Sequence, residues 1–97
     1  MHKENGITFE WDEKKRQANF AKHSVDFMKA KEVFADPNIR IEQDIRYRYD
    51  EERFNAYGFA DGMRLRVCFT KRGENVIRVI SIFRVHLKEW EKYYGNG

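Results

Sequence analysis

The sequence predicts an α+β domain, because its hydrophobic period changes near its only proline, Pro37. Before this residue, apolar side chains recur at the three- and four-residue spacing of helices. After it, they alternate with polar side chains, as in strands that bury one face. Residues 60–62 and 71–74 are short polar segments with a glycine, and they predict hairpin turns. Helices followed by an antiparallel meander favour a sheet with the helix pair on one face.

The N-terminal segment predicts a short strand and a first helix. Residues 7–11 (ITFEW) alternate and predict the strand. Asp12 is suited to cap a helix because its carboxylate can accept hydrogen bonds from the first backbone N–H groups. Glu13 in the first turn favours the helix dipole. The first helix is therefore predicted over residues 13–22 and ends at His23.

A second helix is predicted over residues 27–35. Phe27, Ala30, Val33 and Phe34 recur at helical spacing, and Asp26 precedes them as a second candidate cap. The helix must end before Pro37, since proline lacks the backbone N–H that the next turn would need.

The part of the chain after Pro37 predicts about four antiparallel strands and a closing helix over residues 87–94. In the third strand, alternate positions are apolar, and the positions between them include Arg64 and Arg66. In the fourth strand, simple alternation places Val79 and Arg78 on opposite faces of the sheet. The predicted strands cover residues 39–45, 53–59, 63–70 and 75–83, with residues 46–52 as a turn or strand end.

Composition indicates one cytoplasmic domain that spans residues 1–97. A hydrophobic share of 41% and an aromatic share of 15% are enough to form a modest core. The single cysteine, Cys68, excludes an internal disulfide, and its apolar surroundings favour a buried structural thiol. No apolar run approaches the roughly 20 residues that a bilayer span needs, and the N-terminus lacks the pattern of a signal peptide.

The basic residues are concentrated in the last third of the chain. The formal net charge is +3, yet residues 1–63 contain 11 Lys and Arg against 13 Asp and Glu. Residues 64–97 contain 8 Lys and Arg against 3 acidic residues, namely Glu74, Glu89 and Glu91. Such an asymmetry is typical of nucleic-acid-binding domains, although a solvated basic surface has the same composition.

Arginines on the last two predicted strands are the strongest candidates for a site. Arg64, Arg66, Arg78 and Arg84 would lie on neighbouring strands, and suitable register would bring several onto one face. Taken one at a time, each is expected to pair with a carboxylate or to face water. As a group with few acids nearby, they predict a surface that binds phosphate. Arg72, in the hairpin turn, would extend it.

His86 is the candidate for proton transfer, since its side chain titrates near neutral pH. A half-buried or capping histidine at a strand–helix junction is an equally good interpretation. In the closing helix, Trp90 is expected to pack in the core, whereas Tyr93 is a candidate to stack on an RNA base. No group of His, Cys, Asp and Glu has the spacing of metal ligands, and no glycine-rich phosphate loop is present, so no cofactor is predicted.

These residue types suit RNA cleavage without a metal. The ribose 2′-OH can attack its own phosphate, so the protein need supply only cations and a proton-transfer group. Arg78 and Arg84 would stabilise the phosphate, with Arg64, Arg66, Arg72 and Tyr93 as the RNA-binding surface.

An ordered set of residues runs through the N-terminal third of the chain: Phe9, Trp11, Asp12, Asn19, Lys22, His23, Val25, Phe27, Phe34, Asp36 and Pro37. Their order and spacing resemble the BrnT family of toxins, whose pattern runs Phe-x-Trp-Asp, a basic helix with Asn, Lys-His-Gly-Val, and a final Phe-x-Asp-Pro. The segments EERF with Tyr57 and Gly58, then FTKRG and IRVIS, continue the match over nearly the whole chain.

This resemblance implies a RelE-like fold and an endoribonuclease toxin of a type II toxin–antitoxin pair that inhibits translation. It also implies a ribbon-helix-helix (BrnA-like) antitoxin as partner, hetero-oligomers with it, and contact with DNA only through it. Two positions depart from the family pattern: Ser24 replaces a glycine, and Phe83 stands where an arginine is common. Either Arg84 fills that role one place later, or Phe83 has replaced the arginine, which would favour a non-catalytic, antitoxin-binding co-repressor.

Overall fold

The computed structural model describes residues 2–4, 6–45 and 50–95. The N-terminal part of the chain forms two strands and then a layer of helices: β1 (His2–Glu4), β2 (Ile7–Glu10), α1 (Glu13–His23), a 3-10 turn (Phe27–Lys29) and α2 (Ala30–Ala35). They are followed by β3 (Arg40–Asp44), β4 (Arg53–Ala60), β5 (Met63–Gly73), β6 (Val76–Arg84) and α3 (Leu87–Tyr93). The predicted segment 46–52 lies partly outside the described residues.

Within the described residues, six strands form one sheet in the order β1-β2-β6-β5-β4-β3. Strands β3 to β6 are the antiparallel meander that alternation predicts. Strand β2 pairs in parallel with β6, and β1 pairs with β2 at the sheet edge. The α+β class is confirmed.

The predicted layout is wrong in several details. The strand predicted over residues 7–11 is present as β2, but the four-stranded antiparallel sheet is instead larger and mixed, because β2 joins it together with the unpredicted strand β1. The single second helix is divided into a 3-10 turn and a six-residue α-helix. The direction of β2 could not be predicted because its partner in the sheet lies more than sixty residues away along the chain.

The helix layer covers one face of the sheet, which we call the apolar face. Its core includes Phe9, Leu65 and Phe69 from the strands, with Phe27 and Val33 from the helical segments, all fully buried. Burying such side chains contributes about 1.5–3 kcal/mol each, so this layer dominates the folding energy.

Two backbone features hold the helices close to this face. A Cβ atom on Gly58 would lie 2.9 Å from the backbone oxygen of Val33, so α2 approaches β4 more closely than any side chain would allow. Helix α1 ends at Ser24, which has φ 60° and ψ 27° in the left-handed region. This conformation favours glycine, which explains why the family pattern has glycine at this position.

Candidate functional site

The opposite face of the sheet, which we call the polar face, carries Glu10, Asn55, Arg66, Thr70 and Arg78. Their placement follows from strand register: Asn55 is the partner of Cys68, Tyr57 of Arg66, and Thr70 of Arg78. Helix α3 folds back over one end of this face and buries Trp90 and Tyr94 against Tyr57 and Val85. The middle of this face is covered as well: Asn55, Cys68 and Thr70 are buried, and the Thr70 hydroxyl donates a hydrogen bond to the carbonyl of Glu52.

The expected convergence of Arg78 and Arg84 on one face is wrong. Ser81 is the partner of Cys68 and Val79 is the partner of Phe69, so Ile80 is an extra residue in β6. This β-bulge reverses the alternation. Arg78 therefore lies on the polar face beside Thr70, whereas Arg84 is paired with the core residue Leu65 on the apolar side.

The predicted RNA-binding residues are divided among three places. Arg64 and Arg66 lie on the polar face, opposite Phe59 and Tyr57. Arg72 lies at the far end of β5, where its Nη2 atom is 3.5 Å from the carboxylate of Glu51. Tyr93 lies on α3 and stacks on Tyr57, with ring centroids 4.9 Å apart. Arg64, Arg66 and Tyr93 thus share one face.

His86, the predicted proton-transfer residue, occupies the N-cap position of α3. Its side chain is exposed and makes no capping hydrogen bond. Within residues 2–4, 6–45 and 50–95, no hydrogen bond, ion pair or ring contact joins it to an arginine of the polar face.

Arg66 is the centre of a network between β5 and α3. Its Nη1 atom donates a hydrogen bond to Oε2 of Glu89 at 2.6 Å, and the Tyr57 hydroxyl donates to the same oxygen at 2.9 Å. The Arg66 side chain is 14% exposed. Burial lowers the pKa of its guanidinium, but the interactions with Glu89 and Tyr57 together outweigh this and leave the pKa raised. Burial also raises the pKa of Tyr57, with a further contribution from Glu89.

A second group of contacts joins Arg66 to α1. The guanidinium carbon lies 4.7 Å from the centroid of the Phe83 ring, in cation–π geometry. The His23 ring packs on the same Phe83 ring, with 5.2 Å between the ring centroids. Phe83 lies at the position where the family pattern often has arginine, and its ring packs against the Arg66 guanidinium. His23 lies at the edge of the same site.

Asn19 fixes this edge of the site. Its side-chain nitrogen donates to the carbonyl of Ile82 at 2.8 Å, and its oxygen accepts from the Ile82 N–H at 3.2 Å. The same nitrogen donates to the carbonyl of Val25 at 3.1 Å. Beyond the end of β2, a side chain of α1 therefore hydrogen-bonds the backbone groups at the unpaired edge of β6. This contact also positions His23 beside Phe83.

Next to Arg66, the sheet and α3 enclose a concavity of about 310 Å³, which we call the Arg66 cleft. It is lined by Glu42, Tyr57, Arg66, Lys88, Glu89, Lys92 and Tyr93. The volume lies at the lower limit of small-molecule sites, which measure about 300–1,000 Å³. It is large enough for one nucleotide-sized group.

Arg78 forms a separate cationic position on the polar face. Its Nη1 atom donates to Oε2 of Glu10 on β2 at 2.7 Å, and its side chain is 30% exposed. The expectation that acids are too scarce to neutralise the arginines is therefore wrong for Arg66 and Arg78. The acids that pair with them come from α3 and β2, outside the two arginine-bearing strands.

The described part of the chain contains no cluster of three or more His, Cys, Asp and Glu side chains able to hold a metal. Cys68 is buried, and burial raises the pKa of its thiol, so it is not a reactive nucleophile. None of the described helices combines the length and apolar character required to cross a membrane.

Sequence reasoning missed Tyr57, Phe83 and Glu89, and it gave His23 little weight. The Lys22-His23 pair in the family resemblance was the available signal for His23. Glu89 could not be found from sequence, since it reaches Arg66 only because α3 folds back across the sheet.

Helices on one face of a mixed sheet, with arginines and aromatic rings on the other, define a small α+β protein with a cleft of charged and aromatic residues beside its last helix. The family described as "Ribonuclease toxin, BrnT, of type II toxin-antitoxin system" matches residues 11–89. The chain therefore belongs to this family, and the resemblance found in its sequence is confirmed.

A solved structure agrees with this assignment. The chain is similar to the ribonuclease toxin BrnT of Brucella abortus, with a TM-score of 0.62 and 29% sequence identity. The match covers 82% of this chain and 97% of that one. None of the curated proteins compared with the chain matches it significantly.

Proposed function

We propose that this protein is a metal-independent endoribonuclease toxin that cuts RNA at the polar face and thereby inhibits translation. The observation that carries the proposal is the position of Arg66, a largely buried guanidinium that lines a cleft, pairs with Glu89 and packs on the same Phe83 ring as His23. Family membership supplies the general activity, and the contacts of Arg66 suggest where it occurs.

Arg66 is suited to stabilise a phosphate that becomes more negative in the transition state. Its Nη1 atom is held by Glu89, while its Nε atom is buried without a hydrogen-bond partner among the described residues. Buried donors that lack an acceptor are uncommon in folded proteins, and an anionic oxygen would satisfy this one once a neighbouring side chain moves aside to admit it. A fixed guanidinium stabilises developing charge without having to reorganise.

The reaction needs a new bond from the ribose 2′-oxygen to phosphorus and loss of the 5′-oxygen of the next nucleotide. The products are a 2′,3′-cyclic phosphate and a free 5′-hydroxyl. We assign the proton transfer from the 2′-OH or to the leaving oxygen to His23 rather than His86. His23 contacts Phe83, which also contacts Arg66, whereas His86 has no described contact with the arginines of this face.

Arg78 is proposed to bind a second phosphate of the same RNA strand. It lies beside Thr70, four residues along β5 from Arg66, or about 13 Å at a rise of about 3.3 Å per residue. Because each arginine is held by a different carboxylate, Glu89 or Glu10, we assign them to different phosphates. Arg64 and Tyr93 extend the same surface, but Arg84 lies on the other side of the sheet.

The test is cleavage of a defined RNA by the purified protein in the presence of a metal chelator. We expect products that end in a 2′,3′-cyclic phosphate, and no cleavage where the 2′-OH is replaced by hydrogen. Intact RNA would remove the enzymatic proposal. Equal cleavage of the 2′-deoxy substrate would remove the mechanism.

The proposed partner is an antitoxin with a ribbon-helix-helix domain that would form a hetero-oligomer with the toxin. The antitoxin would bind DNA, and the toxin would contact DNA only through it. Membership in a type II family implies a protein antitoxin. Co-purification with the product of an adjacent gene, followed by loss of RNA cleavage in the complex, would support this partner.

A second candidate function is a non-catalytic co-repressor that only binds the antitoxin. It is favoured by the carboxylate pairing of both Arg66 and Arg78, which RNA would have to displace. Expression in a bacterium without the antitoxin separates the two functions. Growth arrest supports the toxin, and normal growth of cells that accumulate folded protein supports the co-repressor.

A further inference from the structure

The Arg66 cleft contains groups that phosphate binding does not use. Glu42 on β3 lines it, together with Lys88, Lys92 and Tyr93 on α3. Glu89 is occupied by Arg66 and Tyr57. Glu42 is half-buried, and it forms no hydrogen bond or ion pair with another residue of the described segments. A carboxylate so placed would repel phosphate, so it requires a different explanation.

We propose that the Arg66 cleft binds one nucleobase of the RNA substrate and selects guanine through Glu42. This inference rests on the proposed function, because it names the nucleotide next to the phosphate that Arg66 would hold. The base would enter beside Tyr93, with its Watson–Crick edge toward the carboxylate.

The selectivity follows from the pattern of donors and acceptors on each base. An ionised carboxylate only accepts hydrogen bonds, through two adjacent oxygens. Guanine presents two adjacent donors, N1–H and the N2 amino group, and can bind both oxygens. Adenine and cytosine each place a ring acceptor beside their amino group, and uracil flanks its single donor with two carbonyls, so each would set a lone pair against the carboxylate.

The lysines complete the complementarity. The O6 atom of guanine, next to N1–H, is an acceptor and would take a hydrogen bond from the ammonium of Lys88 or Lys92. Acceptor and donor groups thus line the cleft together, as the guanine edge requires. A cleft that bound only phosphate would have no use for Glu42.

Tyr93 is suited to stack the base. Its ring is held parallel to that of Tyr57, with an interplanar angle of 15°. The ammonium of Lys92 lies 5.1 Å from its centroid and, on a flexible side chain, can yield to a base. Base–aromatic stacking is tolerant of sequence, so Tyr93 would contribute affinity and Glu42 the choice of base.

The first experiment maps the cleavage sites of wild type, Glu42→Gln and Glu91→Gln on an RNA that contains all dinucleotides. Glu91 is exposed on the same helix as Tyr93 and does not line the cleft. We expect wild type and Glu91→Gln to prefer guanine at one position beside the cut by about tenfold or more. Glu42→Gln should lose most of that preference and gain cleavage beside adenine, whose donor–acceptor edge matches an amide. A wild type indifferent to guanine, or a Glu42→Gln variant that retains the preference, would overturn the proposal.

The second experiment needs no cleavage and so separates failure of this inference from failure of the proposed function. The wild-type protein is titrated with 5′-GMP, 5′-IMP and 5′-AMP, and binding is followed by NMR shifts of the residues that line the cleft. We expect affinity to fall in that order, since IMP lacks the N2 amino group and AMP lacks both donors. Equal affinities would overturn the guanine pocket even in an active enzyme. The expected order in a protein that cuts no RNA would support the pocket and remove only the nuclease.

Discussion

The two faces of the sheet differ in what holds their residues in place. On the apolar face, the side chains of Phe69, Leu65 and Val67 are fully buried under the helices. Their positions follow from alternation alone. On the polar face, Arg66 and Arg78 are each held by a specific carboxylate from a distant element, Glu89 for Arg66 and Glu10 for Arg78.

This difference separates stability from activity. Loss of an apolar contact should cost free energy of folding and reduce activity only by reducing the folded fraction. Loss of a polar-face arginine should reduce RNA cleavage or binding in a protein that remains folded. Four substitutions test this separation of stability from activity, from the largest expected change in free energy to the smallest.

Phe69→Ala is expected to have the largest effect on stability. The Phe69 ring is fully buried and contacts Phe34 and Phe54, with centroids 5.2 Å and 5.5 Å away. The cavity should cost about 3–5 kcal/mol of unfolding free energy, measured in urea. Phe59→Ala, at a polar-face site that is 43% exposed, should cost less than half as much. Similar losses at the two sites would contradict the contrast between the faces.

Asn19→Ala tests the edge where the two faces meet. The change leaves the N–H and carbonyl of Ile82 without their partner, at a cost of about 2–4 kcal/mol. Because this contact also positions His23, cleavage by the folded fraction should fall as well. Gln17→Ala, at an exposed position of the same helix, should be nearly neutral. An Asn19→Ala protein of wild-type stability would show that water replaces the amide at this edge.

Arg78→Ala should weaken RNA binding about tenfold with little loss of stability. Removal of one phosphate contact should also lower the slope of log affinity against log salt by about 0.7 for single-stranded RNA. Lys31→Ala, in the helix layer on the opposite face, is the matched control and should leave that slope unchanged. Equal salt slopes for wild type and Arg78→Ala would remove Arg78 from the RNA surface.

Asp36→Asn should have the smallest effect, and one that depends on pH. Burial raises the pKa of Asp36, but hydrogen bonds from the Phe59 and Asn38 N–H groups and the Tyr94 hydroxyl outweigh it, so the pKa lies below 3.8. The charged carboxylate therefore stabilises the fold above the unfolded-state pKa, and this contribution is lost as pH falls through the folded-state pKa.

At pH 7 the Asn variant should unfold with about 1 kcal/mol less free energy than wild type. The difference should begin to shrink below about pH 4, where the carboxylate of the unfolded state is protonated first, and it should continue to shrink as the pH falls through the lower pKa of the folded state. Urea unfolding across this range is the measurement. A gap that stays constant down to pH 2 would assign the effect to packing rather than to charge.

Much of the fold could be predicted, because alternation and capping are local. Asp12 caps α1 through hydrogen bonds from Lys14 and Lys15, and the faces of β5 agree with alternation from Leu65 to Phe69. The bulge at Ile80 could not be predicted, since an extra residue in β6 leaves no trace in an apolar run. That single residue moved Arg84 away from the site.

The site itself was only partly predictable for a similar reason. Arg66 and Tyr93 could be nominated from the basic C-terminal third and its aromatic helix. Their partners, Glu89 and Tyr57, come together only when α3 folds back over β4 and β5. Sequence alone could give the residue types of a phosphate-binding face, but the arginine at its centre depends on register and helix docking.

The most direct measurement compares RNA cleavage by Arg66→Ala and Arg84→Ala, two arginine truncations on opposite sides of the sheet. Rates per folded molecule would be taken in chelator, with circular dichroism to report the folded fraction. If RNA is cut beside Arg66, Arg66→Ala should slow cleavage by about 10²–10³-fold, whereas Arg84→Ala should cleave within about twofold of the wild-type rate. A large loss at Arg84 with near-normal cleavage at Arg66 would contradict it and place the active site on the other face.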